Sequence, residues 1–189
     1  MAFLRGSVTL TAGSPRDALP QLRDGQEKKL GAERSAKAQG LGRSRGGFST
    51  KVVVTAADED TALAVDVVPG QAGDAPRLVP LLDRTLERVG AIDELVGDKG
   101  FDGDRLREQC LQRDVNPNIP LKANRDPQRW AWDEEGYRER NRVERLPGKA
   151  RQFRRIATRY ERRNVTYLGL LHLVLGFLRL RKRTNVNTP

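Results

Sequence analysis

The sequence predicts an α/β protein with one carboxylate at the end of a central strand and another on a later helix. Two β-branched segments, Lys51–Ala57 and Ala62–Val68, flank a short acidic turn and predict an antiparallel hairpin. A leucine-rich helical pattern follows them. A third apolar segment, Glu94–Gly97, then leads directly into Asp98. Because strands and helices alternate in this order, we expect a sheet with flanking helices.

The chain before the hairpin has a different character. Val8–Leu10 predicts a short strand, and residues 11–47 are rich in Gly, Ser, Pro and charged residues without a lasting period. That composition predicts a long mobile segment, and we assign residues 1–38 to a flexible N-terminal region. Where the segment ends, in GLGRSRGGFSTK, Arg43 and Arg45 on a glycine-rich turn are candidate phosphate contacts.

Two helices are predicted in the middle of the chain. Asp74 is a suitable N-cap for the first, with Pro76 in its first turn and Gly90 at its end. The second spans about Asp104–Arg113, and its apolar side is predicted to consist of Leu106, Cys110 and Leu111.

The remaining elements complete the α/β order. Val115–Leu121 predicts an edge strand because it contains two prolines. Trp130 and Trp132, in the polar loop that follows, are predicted to pack in the core or form a lid. The final helix, about Asn164–Arg181, is apolar nearly all round, so we expect it to be buried against the sheet or a second subunit. Residues 182–189 are predicted to be a disordered tail.

The charge of the chain is unevenly distributed. The net charge is +10, made of +6 over residues 1–51, −8 over residues 52–137 and +12 over residues 138–189. An acidic middle between basic flanks suits an acidic active site with basic arms for a polyanion. The alternative at this level is a soluble protein that is merely basic.

Rare residue types exclude several classes of function. Cys110 is the only cysteine and His172 the only histidine, so an intrachain disulfide and a cysteine-based zinc site are excluded. A histidine triad would have to use His172, for which a core or helix-surface role is expected. The start lacks a signal-peptide pattern, and the most apolar stretch, Tyr167–Leu180, is too short to span a bilayer. We therefore expect a cytoplasmic protein.

The stretch Tyr137–Tyr160 places Glu144 in the most basic part of the chain. Between Arg138 and Arg163 there are eleven Lys or Arg residues and three acids. Spacings of three, four and seven keep to one helical face, so a helix through this stretch would align a set of four side chains. The set is Tyr137, Arg140, Glu144 and Arg151. A solvated, salt-bridged surface helix is the alternative interpretation.

Asp98 and Glu144 supply the ligand type that Mg²⁺ or Mn²⁺ prefers. Two carboxylates can take part in a two-metal site for in-line phosphoryl transfer, and nearby arginines neutralise phosphates. The composition therefore contains the residue types that such a site needs, but composition alone does not show how they are arranged.

Four segments of the sequence resemble one known family. They are GLGRSRGGFSTK, VVPGQAGDAP, GDKGFDGDRLREQCLQRDVNPNIP and YRERNRVERLPGKARQFRRIATRYERR. Together they resemble the C-terminal catalytic half of DDE transposases from bacterial insertion sequences, in the group numbered five. The resemblance covers residues 39–181, which we assign to one catalytic domain. Its most specific part is a spacing pattern. Two residues separate Tyr137 from Arg140, three separate Arg140 from Glu144, and six separate Glu144 from the basic residue Arg151.

The resemblance implies a ribonuclease-H-like fold, with a mixed sheet and flanking helices. It also implies that Asp98 and Glu144 are the second and third members of an Asp-Asp-Glu triad that binds Mg²⁺ or Mn²⁺. The implied partners are double-stranded DNA, at terminal repeats and target sites, and further copies of the chain. Tyr137, Arg140 and Arg151 would contact or position the transposon end, and we add four basic neighbours as DNA contacts: Lys99, Arg154, Arg155 and Arg159.

Three departures from the family pattern bear on activity. Arg5, in Leu4-Arg5-Gly6-Ser7-Val8, stands where the family has its first Asp, and Asp17 is the only other acid nearby. Pro147 replaces an aromatic residue and predicts a kink costing about 3 kcal/mol. The family's N-terminal helical region is not matched. We therefore expect a truncated or inactive copy, with an upstream-frame partner for DNA binding. A non-catalytic DNA-binding remnant and an unrelated basic RNA-binding protein are the alternatives.

Overall fold

The computed structural model describes residues 39–44, 47–127, 129–130, 132–138 and 140–185. The predicted strand at Val8–Leu10 lies outside these residues. The described chain divides into two compact units. The first unit contains Val54–Ala64 and Gly73–Leu146, and the second contains residues 39–53, 65–72 and 147–185.

Three strands form one sheet in the order β1 (Gly42–Ser44), β2 (Gly47–Ala56) and β3 (Ala62–Pro69). β1 pairs with β2 in antiparallel register. Residues 42–44 were predicted to belong to the mobile segment, and that prediction is wrong for them because their backbone is paired with residues 47–49.

β2 and β3 form the predicted antiparallel hairpin. At one end Ala57 N–H donates to the carbonyl of Thr61 (2.9 Å), and at the other Gly70 N–H donates to the carbonyl of Ser49 (3.0 Å). The start of β2 is therefore bonded to the residue after β3, and the residue after β2 to the residue before β3, which is the antiparallel arrangement. Five of the ten residues of β2 and three of the eight residues of β3 are β-branched, which suits a pleated and largely buried hairpin.

Helix α1 (Ala75–Val89) follows the prediction closely. Asp74 occupies the N-cap position without a capping hydrogen bond from its side chain, a proline occupies the first turn and Gly90 ends the helix. Its buried side comprises Leu78, Leu81, Leu82 and Thr85. The spacing of these residues keeps them on one face, which explains why this helix forms here.

A βαβ arrangement completes the first unit. β4 (Glu94–Val96) and β5 (Asn116–Asn118) pair in parallel, and helix α2 (Asp104–Leu111) connects them. The apolar residues of β4, Leu95 and Val96, are fully buried. Parallel pairing requires such a crossover, so the short strand before Asp98 becomes part of a small parallel sheet. The predicted α/β class is therefore confirmed.

The buried side of α2 differs from the prediction. Cys110 is buried as expected, and burial raises the pKa of its thiol to about 11. Leu111 was predicted to share that side, but it is 50% exposed. Arg107 is fully buried instead. A charged side chain in the protein interior requires polar partners, and those of Arg107 lie beside the candidate site.

The basic stretch is not one continuous helix, and the prediction of a helix over Tyr137–Tyr160 is wrong. It contains α3 (Glu134–Arg138), α4 (Arg140–Ala150) and α5 (Arg154–Ala157). Pro147 lies inside α4, and the helix ends three residues after it. Proline cannot donate to the preceding turn, which favours an early end. Arg151 therefore lies in a turn and does not share a helical face with Glu144.

The last helix, α6 (Asn164–Asn185), continues four residues beyond the predicted end at Arg181, because residues 182–185 are helical. It was expected to be buried nearly all round. Only one side is buried within the second unit, with Tyr167 and Leu171 among its residues. The other side exposes Val165, Leu173, Phe177 and Leu180. Across the part of the chain that the structure describes, no helix has the length and apolarity to span a membrane.

Candidate active site and nucleic-acid interface

Asp98 lies at the carboxyl end of the small parallel sheet, as predicted. β4 ends at Val96, and Gly97 N–H still donates to the carbonyl of Asn118 on β5 (3.1 Å). Asp98 has an extended backbone (φ −75°, ψ 159°) and begins a single 3-10 turn, Lys99–Phe101. The side chains of Asp98 and Lys99 are exposed. The carboxyl ends of parallel strands are the usual location of ligand sites in α/β folds.

A buried ion pair fixes the turn that follows Asp98. Arg107 donates to the Oδ1 of Asp102 through Nε (3.2 Å) and Nη2 (2.9 Å), and its Nη2 also donates to the carbonyl of Ile119 (2.7 Å). Both side chains of the pair are fully buried. Arg107 thereby ties the end of the turn to α2 and to the residue after β5.

The surroundings of Asp102 keep its carboxyl group ionised. Burial alone would raise its pKa, but three interactions together hold the pKa below its ordinary value. Lys122 N–H donates to Oδ2 (2.8 Å), Arg107 forms the bonds described above, and Arg125 adds its charge at 3.7 Å. Hydrogen bonds to the charged form are the usual reason for such a direction.

Trp130 belongs to this same structural cluster. Its Nε1 donates to the Oδ1 of Asp104 (2.9 Å), and the guanidinium of Arg107 lies 5.5 Å from its ring centroid. Trp130 was predicted to pack in the core or act as a lid, and its half-buried position over Arg107 agrees with packing. Trp132 is 41% exposed, and its ring meets that of Tyr137 edge to face at 5.9 Å.

Glu144 lies on α4 in the same compact unit as Asp98. Its neighbours Val143 and Leu146 are buried, and Glu144 itself is half-buried. Tyr137 is half-buried at the end of α3, and Arg140 begins α4. The structure thus places five of the predicted site residues in the first unit: Asp98, Lys99, Tyr137, Arg140 and Glu144.

The other predicted DNA contacts that the structure describes lie in the second unit. Arg151, Arg154 and Arg155 are exposed, and the Nε of Arg155 is 3.1 Å from a carboxylate oxygen of Glu161. Arg43 is exposed on β1, with its guanidinium 5.3 Å from the ring of Phe48. Arg45 lies outside the described residues.

Arg159 is the exception, and its predicted contact with DNA is contradicted by its burial. Its exposed fraction is zero. The guanidinium donates to the hydroxyl of Thr50 (2.6 Å) and to the carbonyls of Gln39 (2.7 Å) and Glu161 (2.9 Å). Its carbon lies 5.0 Å from the ring centroid of Tyr167. A side chain with these partners is committed to the interior of the second unit and cannot reach a phosphate.

Within the described residues, no group of three or more His, Cys, Asp or Glu side chains is placed to hold a metal ion. Asp98 and Glu144 remain as two carboxylates in one unit, and their oxygens fit the preference of Mg²⁺ for hard ligands. Arg5 and Asp17, the positions considered for the first acid, lie outside the described part of the chain.

Two residues near the site were not identified from sequence. Asn118 is 2% exposed and exchanges two hydrogen bonds with the backbone of Asp133. The Asp133 carboxylate in turn accepts from the N–H groups of Glu135 (3.0 Å) and Gly136 (3.1 Å), which makes it the N-cap of α3. An Asp followed by two Glu residues is a helix-start signal that could have revealed Asp133. No local signal marks a buried asparagine.

Comparison with protein families decides the assignment. The model of the family "Transposase DDE domain" matches residues 20–177 of this chain. The chain belongs to this family. The transposase resemblance predicted from the sequence is therefore confirmed. A second comparison agrees: the chain is 30% identical over 122 residues to a putative transposase for insertion sequence element IS6501 from Brucella ovis. That match covers 63% of this transposase and 88% of the relative.

Among solved structures, the transposase is similar to the catalytic core domain of BIV integrase in crystal form I. The TM-score is 0.42 and the sequence identity 15%. The match covers 71% of this chain and 76% of the other.

Proposed function

We propose that this transposase cleaves and joins DNA strands at insertion-sequence ends by metal-dependent phosphoryl transfer, within a ribonuclease-H-like catalytic domain. One observation carries the proposal. Asp98, at the carboxyl end of β4, and Glu144, on α4, belong to the same compact unit of a chain from the DDE family. The family's chemistry requires carboxylates from separate elements, and these two meet that description.

In this proposal Asp98 and Glu144 hold Mg²⁺ or Mn²⁺. Such an ion, when bound, stabilises developing charge on phosphate oxygens and lowers the pKa of an attacking water or hydroxyl group. Lys99, which is exposed beside Asp98, would neutralise a phosphate that approaches the turn. Tyr137 and Arg140 precede Glu144 on α3 and α4, and they would orient the DNA end.

The exposed arginines of the second unit supply further proposed DNA contacts. These are Arg43, Arg151, Arg154 and Arg155. Guanidinium groups bind phosphate oxygens in a planar, bidentate way, and such contacts position DNA without reading its sequence. The proposed partners are terminal repeats, target DNA, further copies of the chain and an upstream-frame DNA-binding protein. We place this assembly in the cytoplasm.

Strand cleavage by the purified chain tests the proposal. The substrate is duplex DNA that carries the sequences flanking the chain's own gene, incubated with Mg²⁺ or Mn²⁺. A metal ion supplies several kcal/mol to the transition state and 1.36 kcal/mol is tenfold in rate, so Asp98→Asn or Glu144→Gln should lower cleavage at least about a hundredfold. Glu134→Gln is the matched control, because Glu134 is an exposed glutamate on α3. Equal cleavage by all four proteins would refute the carboxylate assignment.

A non-catalytic DNA-binding remnant is the second candidate, and Arg5 favours it, since it stands where the family has its first Asp. This candidate predicts DNA binding that is steeply salt-dependent but no cleavage with either metal. It also predicts that Arg5→Asp does not restore cleavage. Cleavage gained by Arg5→Asp would favour a transposase disabled at one position, and cleavage by the natural chain would exclude the remnant.

A further inference from the structure

Asn118 is a buried polar residue that bonds to two elements of the candidate site. It is the last residue of β5, it stands opposite Val96 of β4 and it is 2% exposed. A buried amide that lacks hydrogen-bond partners destabilises the fold, so buried amides in native proteins are hydrogen-bonded. The partners of Asn118 therefore show what the residue does.

Its backbone holds the chain next to Asp98. The Asn118 carbonyl accepts from Gly97 N–H at 3.1 Å, which extends the β4–β5 ladder one residue beyond β4. Packing is close at this point, because a Cβ added to Gly97 would lie 3.1 Å from Cγ1 of Ile119. The residue immediately before Asp98 is thus fixed to β5.

Its side chain holds the start of α3. The Nδ2 of Asn118 donates to the carbonyl of Asp133 (3.0 Å), and the N–H of Asp133 donates to the Oδ1 of Asn118 (3.1 Å). This paired arrangement orients the amide in one way only, since each end matches one donor or acceptor. Asp133 then caps α3, which precedes the helix that carries Glu144.

The first turn of α3 lies directly against this contact. A Cβ added to Gly136 would come within 2.6 Å of Oδ2 of Asp133 and 3.1 Å of Nδ2 of Asn118. Only a residue without a side chain fits there unless the Asp133 carboxylate moves. The fit between helix and asparagine therefore depends on Gly136 as well as on the hydrogen bonds.

We propose that Asn118 is a positioning residue that holds the Asp98 turn and the start of the Glu144-bearing helical segment in one fixed arrangement. This rests on the proposed function, because the arrangement matters for chemistry only if both carboxylates bind metal. Asn118 does not itself touch metal or DNA in this role. Its effect on metal affinity is that of an outer group which orients ligands, and such groups contribute about 10–100-fold.

Mn²⁺ affinity of the complete chain tests this role, measured from the electron paramagnetic resonance signal of free Mn²⁺. Asn118→Ala should weaken binding about tenfold or more. Thr85→Ala is the matched control: Thr85 is also fully buried in the first unit and loses hydrogen bonds to Thr55 (2.7 Å) and Leu81 (2.8 Å). The control should leave Mn²⁺ affinity unchanged. Equal weakening in the two variants, or none in Asn118→Ala, overturns the proposal.

Amide hydrogen exchange supplies a readout that does not depend on metal. Asn118→Ala should lose protection both in residues 97–102 and in residues 134–138, whereas Thr85→Ala should lose it in neither. If Asp98→Asn leaves Mn²⁺ affinity unchanged, the proposed metal site fails and exchange alone decides the linkage. Loss of protection in both segments then supports it, and loss in one or none overturns it.

Gly136→Ala keeps the test decisive if Asn118→Ala does not fold. It retains every hydrogen-bonding group and favours helix by about 1 kcal/mol, but its methyl group displaces the Asp133 carboxylate. We expect weaker Mn²⁺ binding with faster exchange in residues 134–138. Unchanged Mn²⁺ affinity in this variant counts against the positioning role.

Discussion

Arg107 in the first unit and Arg159 in the second are both completely buried, yet their charges are compensated in different ways. Arg107 pairs with the buried carboxylate of Asp102. Arg159 donates to carbonyl groups and to the Thr50 hydroxyl, and it lies against the ring of Tyr167. Burial lowers the pKa of Arg159, while Tyr167 and Glu161 oppose that effect. One arginine is neutralised by a charge, and the other is solvated largely by dipoles.

The two arginines also differ in how far along the chain they reach. Asp102 and Ile119 are 5 and 12 residues from Arg107. Thr50 and Gln39 are 109 and 120 residues from Arg159. Arg107 therefore fixes a local turn beside the candidate site, whereas Arg159 closes the second unit by joining distant segments. The comparison predicts that losing Arg159 affects overall stability more than losing either member of the Arg107 pair.

The largest expected effect comes from Arg159→Ala. It leaves the carbonyls of Gln39 and Glu161 without this donor, at a cost of about 1–3 kcal/mol for each group, and removes one of the bonds of the Thr50 hydroxyl. We expect the free energy of unfolding, measured by circular dichroism in urea, to fall by about 4 kcal/mol or more. Arg154→Ala, at an exposed position five residues earlier, should change it by less than about 0.5 kcal/mol.

DNA binding by the same two variants should show the reverse order. Under conditions where both are folded, Arg154→Ala should reduce the slope of log affinity against log salt by about 1, as expected for one lost phosphate contact. Arg159→Ala should retain the slope of the natural chain. A reduced slope in Arg159→Ala together with unchanged stability would contradict the burial of this residue.

The second effect comes from breaking the buried pair from its acidic side. Asp102→Asn leaves the charge of Arg107 buried without a counter-ion, and removal of one partner from such a pair costs about 3–5 kcal/mol. We place the effect at the lower end, because the amide oxygen can still accept from Arg107, although the amide NH2 group replaces the oxygen that accepts from Lys122 and that bond is lost. Urea unfolding measures it, and Asp83→Asn is the control.

Asp83 forms a partly exposed ion pair with Arg113, for which about 0–1 kcal/mol is expected. A double variant, Arg107→Met with Asp102→Asn, distinguishes the loss of the ion pair from a general loss of packing. It should be more stable than the sum of the single losses implies, because no unpaired charge remains. Strict additivity would show that the two residues act independently.

Much of the fold could be predicted because its signals are local. The hairpin, α1 and the strand before Asp98 follow from periodicity and from capping residues within a few positions. The end of α4 at Ala150 is a local feature that was nevertheless predicted wrongly. Pro147 predicts a kink there, yet the helical spacing that aligns Glu144 with Arg151 assumes a helix that continues through it. Spacing predicts a common face only while the helix continues.

The candidate site could be predicted only in part, because local sequence signals do not specify tertiary partners. Asp98 could be placed because a buried strand leads into it, but the proposal that it shares a metal site with Glu144 rests on family resemblance. In FRRIATRYERR nothing distinguishes Arg159 from its exposed neighbours, since two of its partners, Thr50 and Gln39, are more than a hundred residues away. Asn118 was missed for the same physical reason. A buried polar residue is specified by tertiary partners, and sequence patterns do not report these.

The smallest effect is a pH dependence that should be stronger for the Arg107 pair than for Arg159. The pKa of Asp102 is lower in the folded protein than its ordinary value of 3.8. A lowered pKa contributes stability that is present above the unfolded value and is lost as pH falls through the folded value. The stability gap between the natural chain and Asp102→Asn should therefore shrink as pH falls below about 4. Other carboxylates titrate in both proteins and cancel in the difference.

Arg159 should depend less on pH, because arginine remains protonated throughout this range, its bonded partners are carbonyls and a hydroxyl, and the Glu161 carboxylate acts on it through charge alone. The stability gap between the natural chain and Arg159→Ala should therefore change less between neutral pH and below pH 4 than the gap for Asp102→Asn. Urea unfolding at several pH values measures both gaps on the same proteins. A constant gap for Asp102→Asn would mean that its carboxylate is not held ionised by Arg107, and the distinction between a charge-compensated and a dipole-solvated arginine would then fail.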